Sequence, residues 1–154
     1  MCGILGNFGF IERLDFNNHL KAVDEPLIRR GPDQINHIDL ENFLATHSRL
    51  IIQGSEDDGI QPICFKNIVI LFNGNLYNKN SLKLDLELLG YSFKGVSDTE
   101  VVAVAVYHWG NQAFKKFNGF FSIACFHRDK KILTLARDRL GQKPLYYSQN
   151  SRSV

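Results

Sequence analysis

With 154 residues the chain is long enough for one domain with a sizeable core, and 44% hydrophobic with 22% charged residues describes a folded globular protein. Its 18 basic and 16 acidic side chains leave a net charge of +2, too balanced to argue for nucleic acid or an anionic membrane as partner. No apolar run reaches the ~18 residues of a membrane span, and no cleavable leader opens the sequence. Cys2, Cys64 and Cys125 form no CxxC and no even disulfide framework, and His19, His37, His47, His108 and His127 show no ligand spacing. A metal centre is therefore not expected, and a reducing cytoplasm is the expected setting. The basic stretch of Arg128, Lys130, Lys131, Arg137 and Arg139 is interrupted by Asp129 and Asp138 and reads as a solvated turn and strand face.

In chain order, residues 2–8 read as an apolar first strand whose two glycines suggest close backbone approach. A helix is expected over 17–28 from Leu20, Val23 and Leu27, with Pro26 kinking or ending it early. Residues 29–33 form a turn, 44–52 a strand or strand pair, and 53–62 a polar loop. The apolar run 68–72 predicts a strand buried on both faces that ends in the turn pair Asn73-Gly74. A helix over 80–89 closes at Gly90, and Ser97-Asp98-Thr99-Glu100 matches the S-x-x-E capping box of a second helix, 99–109, that stops at Gly110. After a short helical segment at 111–117, residues 120–127 and 131–137 form a hairpin, and 144–147 a last strand. Runs of strands and helices in this order predict an α+β layered domain. Cys64 and Cys125 read as ordinary core residues.

Cys2 stands directly behind Met1. Removal of that methionine would leave one residue bearing both a thiol and an α-amino group, whose reference pKa of ~7.7–8.0 keeps a useful fraction unprotonated near neutral pH. A base beside a thiol is the arrangement of an activated nucleophile. Position alone does not decide it, since an early Cys is more often a small buried hydrophobe.

Taken in one order from Cys2 to Tyr147, the stretches MCGILG, RRGPD, HSRL, QP, FNGNLYN, SDTE, FNGFFSIACF and RDRLGQKPLYY resemble the class II (N-terminal nucleophile) glutamine amidotransferase domain. The kind found at the front of asparagine synthetases is the one they are most similar to. The resemblance implies a single glutaminase domain over 1–154 with the four-layer α/β/β/α sandwich of two antiparallel sheets. It implies that Cys2 attacks the side-chain amide of L-glutamine, giving a thioester and ammonia. By the same resemblance Asn73 (side-chain N–H) and Gly74 (backbone N–H) form the oxyanion hole, and Arg49 grips the substrate α-carboxylate as a planar bidentate donor. Asp98 pairs with the α-ammonium group, with Leu50, Ile52 and Asn75 around the same pocket, and the turn at Arg30-Gly31-Pro32-Asp33 shapes its surroundings.

The chain departs from the family pattern in three places. Asn75 stands where the family has Glu, which removes a negative charge near the expected ammonium site. Arg29 replaces a His before Arg30-Gly31-Pro32-Asp33. The sequence stops soon after Pro144-Leu145-Tyr146-Tyr147, where the family adds strands and then a synthetase domain, so the expected fold is C-terminally truncated with that domain absent. No cofactor is expected in this chain, since ATP and magnesium belong to the synthetase domain. The expected partners are L-glutamine and a synthetase domain or subunit. An alternative is a catalytically weak or inactive domain that binds glutamine or docks a partner.

Overall fold

The computed structural model describes residues 2–9, 20, 25–52 and 57–149. It divides into two compact units, Met1–Ile52 with Tyr146–Val154, and Gln53–Leu145. Most of the helix expected over 17–28 lies outside the described residues; helical backbone is described at 25–28, so the chain stays helical through Pro26. Among the described residues no helix is long and apolar enough to cross a membrane.

The first unit holds β1 (Gly3–Phe8), β2 (Gln34–Leu40) and β3 (Phe43–Arg49) in an antiparallel sheet of order β1-β3-β2. β3 is central and every residue in it is buried. Strand β2 was not expected from sequence, because Ile35 and Ile38 stand three apart and break the period of two that marks a strand. The sheet ladder overrides that pattern: His37 lies opposite Thr46, and Nδ1 of its ring is 2.8 Å from the Thr46 hydroxyl oxygen.

The second unit holds β4 (Ile63–Phe65), β5 (Ile68–Leu76), β6 (Gly119–His127) and β7 (Ile132–Arg137), all antiparallel in that order. One face carries α1 (Lys79–Leu88) and α2 (Asp98–Trp109), followed by a 3₁₀ turn at Gly110–Gln112 and the short α3 (Ala113–Lys116). Its core joins Ile68, Ile70, Phe72 and Leu76 of β5 and Phe121, Ile123 and Cys125 of β6 to Leu82 and Leu86 of α1 and the buried run Val101–Val106 of α2. Gly90, with φ of +91°, closes α1 as expected: its N–H reaches the Glu87 carbonyl at 2.9 Å, and Tyr91 N–H reaches that of Leu86 at 3.1 Å. Ser97 caps α2 by accepting Glu100 N–H at 3.4 Å. The reciprocal half of the capping box does not form. Glu100 instead accepts from the backbone of Lys94 (3.0 Å) and Gly95 (3.1 Å), tying down the loop ahead of the helix.

Two expectations are corrected in the strands. Asn73-Gly74 is not a turn but lies inside β5, opposite Ser122 and Phe121 of β6, so the strand runs to Leu76. Residues 144–147 form no strand among the described residues, and Tyr146 and Tyr147 are exposed. Cys64, expected in the core, is exposed on the three-residue strand β4, whereas Cys125 is fully buried as expected.

The solvated reading of Asp138 is also overturned. This carboxylate is buried and accepts four backbone N–H groups, from Phe121 (3.1 Å), Leu140 (3.2 Å), Gln142 (2.9 Å) and Lys143 (3.0 Å). Burial acts to raise its pKa, but the four amides outweigh it and hold the group below its ordinary value. Arg139 completes the lock by donating to the carbonyls of Phe117 (3.3 Å) and Lys115 (3.0 Å) at the end of α3. A carboxylate depressed in this way stabilises the fold fully above its unfolded pKa, and the stabilisation is lost as pH falls through the lower folded value. Asp138→Ala is expected to cost roughly 3 kcal/mol in urea unfolding at pH 7, through four orphaned N–H groups. The difference from wild type should begin to shrink as pH falls below ~4, where the unfolded chain takes up its proton, and close only below the lower folded value, where the carboxylate is protonated in both states.

Candidate active site

The expected site residues fall into two groups, one in each unit. Cys2, Arg49, Leu50 and Ile52 belong to the first, and Asn73, Gly74, Asn75 and Asp98 to the second.

In the first unit, β1 enters the sheet with Gly3 opposite Ser48, which brings the Cys2 thiol to 3.9 Å from the Leu50 carbonyl. Gly3 leaves room there: an added Cβ would sit 2.6 Å from both the Leu27 side chain and the Ser48 hydroxyl, and both side chains would have to shift. The Arg30-Gly31-Pro32-Asp33 turn clasps the end of β3. Pro32 bridges to Arg49, Asp33 N–H donates to the Arg49 carbonyl at 3.1 Å, and Ile51 N–H donates to the Asp33 carboxylate at 2.7 Å. Gly31 passes so close that a Cβ would fall 2.5 Å from Arg49 N. The turn therefore fixes the backbone that carries Arg49, and Arg30 Nε reaches the Cys2 carbonyl at 3.5 Å. Arg49 itself is buried, with Nη1 3.3 Å from Gln34 Oε1. Ile52, by contrast, is 75% exposed. Arg29, the departure from His, pairs in solvent with Glu25, a contact of little energetic weight.

In the second unit the geometry follows from strand β5 outrunning β4, which pairs only with Ile68–Ile70. Phe121 of β6 exchanges hydrogen bonds with Asp138, so its N–H and C=O point toward β7 and away from β5. Gly74, directly opposite Phe121, consequently turns its own N–H and C=O away from β6. Phe72 and Leu76 share that orientation, on an edge where no described strand follows. Gln61 satisfies Phe72 with its side-chain amide, accepting from Phe72 N–H and donating to Phe72 C=O at 3.0 Å, with a second donation to Thr99 Oγ1 at 3.1 Å. Asp98 satisfies Leu76 N–H at 2.7 Å. Between them, the Gly74 N–H is left unused by the ladder among the described residues. Asn73, buried at 7% exposure, and Asn75 lie on the sheet face opposite the helix-covered one.

Four further residues shape these groups and were missed from sequence. Gln61 was read as the end of a polar loop and, with Pro62, as one stretch of the resemblance, without a role of its own. Asn78 ties α1 to the end of α3, donating to the Lys116 carbonyl at 2.9 Å and accepting Asn118 N–H at 3.0 Å. Ser48 has a buried hydroxyl with no hydrogen-bond partner among the described residues, beside Gly3. Lys79 lies 3.2 Å from the Asp98 carboxylate. Among the described residues no group of three or more His, Cys, Asp or Glu side chains could hold a metal. A surface cleft of about 330 Å³ in this unit is lined by Asn67, Tyr91, Tyr107, His108, His127 and Lys130. It shares none of the expected residues and opens roughly 20 Å along β5 from Asn73.

The fold matches the solved glutamine phosphoribosylpyrophosphate amidotransferase from B. subtilis, complexed with ADP and GMP, with a TM-score of 0.72 over 99% of this chain and 40% of that one, at 20% identity. That places the chain among α+β folds with two antiparallel sheets and helices. Residues 1–154 match the glutamine amidotransferase domain family throughout, and the chain belongs to it. It is similar to asparagine synthetase [glutamine-hydrolyzing] 1 of Bacillus subtilis (strain 168), at 33% identity over 96% of this chain and 24% of that protein. Asparagine synthetase [glutamine-hydrolyzing] 3 of the same organism is 34% identical over 99% of this chain and 26% of its own length. The chain thus spans about a quarter of the curated relatives it matches.

The thiols should separate by environment. Burial pushes the Cys125 thiol up to about 12, which leaves essentially no thiolate near neutral pH. Brief treatment with iodoacetamide at pH 7.5, followed by peptide mass mapping, is expected to modify exposed Cys64 and to spare Cys125 until urea unfolds the chain. Labelling of Cys125 in the native protein would contradict its placement in the core.

Proposed function

We propose that the chain is the glutaminase half of an asparagine-synthetase-like amidotransferase, converting L-glutamine and water to L-glutamate and ammonia. The observation that carries this reading is the Gly74 N–H, held on a rigid strand edge, unused by the sheet and next to an amide side chain at Asn73. A preorganised pair of donors of this kind stabilises a developing oxyanion.

The reaction is written as follows. Removal of Met1 gives Cys2 an α-amine that takes the thiol proton as sulfur attacks the side-chain amide carbon of glutamine. Charge developing on the amide oxygen is received by Asn73 Nδ2–H and Gly74 N–H. The protonated amine then delivers its proton to the departing nitrogen, the C–N bond breaks and ammonia leaves a thioester on Cys2. Water, deprotonated by the same amine, attacks the thioester carbon; the C–S bond breaks to give glutamate, and the amine's proton passes back to the Cys2 sulfur. Arg49 is assigned to the substrate α-carboxylate, Asp98 to its α-ammonium group, and Leu50, Ile52 and Asn75 to the pocket around them. This chemistry uses no cofactor in this chain; ATP and magnesium would serve a synthetase domain or subunit that consumes the ammonia, in the cytoplasm. A second reading, a domain that binds glutamine or docks a partner with little turnover, is favoured by two observations. Asn75 is uncharged and Asp98 is already ion-paired with Lys79.

Ammonia release from glutamine by the purified chain distinguishes the two. Turnover is expected in wild type and absent in Cys2→Ala, and Asn73→Ala should lower kcat by ~10²–10³ with KM less affected. Undiminished release from Cys2→Ala, or full activity in protein whose intact mass retains Met1, would refute the mechanism.

A further inference from the structure

The carboxylate assigned to the substrate ammonium already has both oxygens engaged. Asp98 Oδ2 accepts Leu76 N–H at 2.7 Å, and Oδ1 lies 3.2 Å from Lys79 Nζ. Lys79 is itself fixed, donating to the Val96 carbonyl at 2.8 Å, and the two side chains are only 23% and 12% exposed. Helix stability does not account for the lysine. It is the first residue of α1, where a cation opposes the positive end of the helix dipole, and no acid stands in that first turn to offset it. Asp98, opening α2, has the sign its own helix favours. The other acid at this helix start, Glu100, is taken up by the Lys94 and Gly95 amides. Among the described residues, the charge at the Asp98 carboxylate is thus met by the Lys79 ammonium.

We propose that Lys79 is a specificity-determining residue, an internal counter-ion that competes with the substrate's α-ammonium for Asp98. This rests on the assignment of Asp98 made above. The substrate class that follows is broader than glutamine: ω-carbamoyl carboxylates without a free α-amine should be accepted almost as well, because gaining an ammonium contact requires displacing the one Lys79 makes. A bridge that merely joins α1 to α2 would alter stability when cut but would change both kinds of substrate equally.

The test compares L-glutamine with glutaramate, the same molecule bearing hydrogen in place of the amino group. In the full chain, Lys79→Met is expected to raise the glutamine-to-glutaramate ratio of kcat/KM roughly fivefold, the upper end for a pair of this exposure. Lys79→Arg, which keeps the cation, should retain the wild-type ratio and serves as the fallback where Lys79→Met fails to fold: a raised ratio in Lys79→Arg would overturn the proposal. An unchanged ratio in Lys79→Met, or equal changes for both amides, would also overturn it. The same ratio read as dissociation constants by calorimetry in a Cys2→Ala background separates this claim from the hydrolytic one. A Lys79-dependent binding ratio without ammonia release in the Cys2 protein sinks only the glutaminase reading, whereas binding of neither amide sinks both.

Discussion

A strand that outruns its neighbour leaves a row of N–H and C=O groups that must find partners or remain as an open edge. Strand β5 is in that position beyond Ile70, and much of the second unit is arranged around it. The Gln61 side chain takes the part of a neighbouring strand residue where β4 does not reach, giving and taking a hydrogen bond at Phe72. Its remaining donation to Thr99 fastens that substitute to the first turn of α2. The neighbouring helix residue, Asp98, serves Leu76. Partners are thus supplied at Phe72 and Leu76 by a loop amide and a helix-start carboxylate. The place between them is held open at Gly74, where a donor is left facing outward on a backbone that the β6 ladder makes rigid.

Asp138 and Asp98 in this unit illustrate how one residue type is put to different ends. Asp138 meets four amides and no described cation, so its charge is spent on folding the segment that follows β7. Those contacts also orient Phe121, and the orientation of Phe121 determines which way Gly74 faces. Asp98 meets one amide and one ammonium, and the ammonium is the replaceable part. An amide held in a strand cannot leave without breaking the ladder, whereas a lysine side chain can swing away at the cost of one carbonyl contact.

Much of this was legible in the sequence, for identifiable reasons. Helices α1 and α2 announced themselves through Gly90 and Ser97, whose conformational and capping roles are local. The long strands β5 and β6 were visible as apolar runs. What escaped depended on distant partners: β2 breaks the period of two and is held by its ladder to β3, and β4 has three residues and an exposed cysteine. Asn73-Gly74 was misread as a turn because the pair has that local preference, which a nine-residue strand overrides. The importance of Gln61 and Asp138 lies wholly in backbone groups far along the chain, and no spacing rule points to them. The site residues came from the family resemblance, while Lys79 answers to no motif and emerged only from its distance to Asp98.

Gly74 shows why fold and function cannot be separated by sequence here. A Cβ at this position would overlap the Phe120 carbonyl and sit 2.7 Å from the Phe121 Cα, so glycine is demanded by the close, non-hydrogen-bonded pairing alone. The same pairing points the N–H away from β6. The structural demand and the donor are therefore one feature, and the glycine by itself is no evidence of catalysis. Asn73 breaks the tie. On the buried face that also carries Val69 and Leu71, a strand residue of its exposure would ordinarily be aliphatic. A buried amide side chain next to an unused backbone donor is the pair of donors that the proposed oxyanion site calls for.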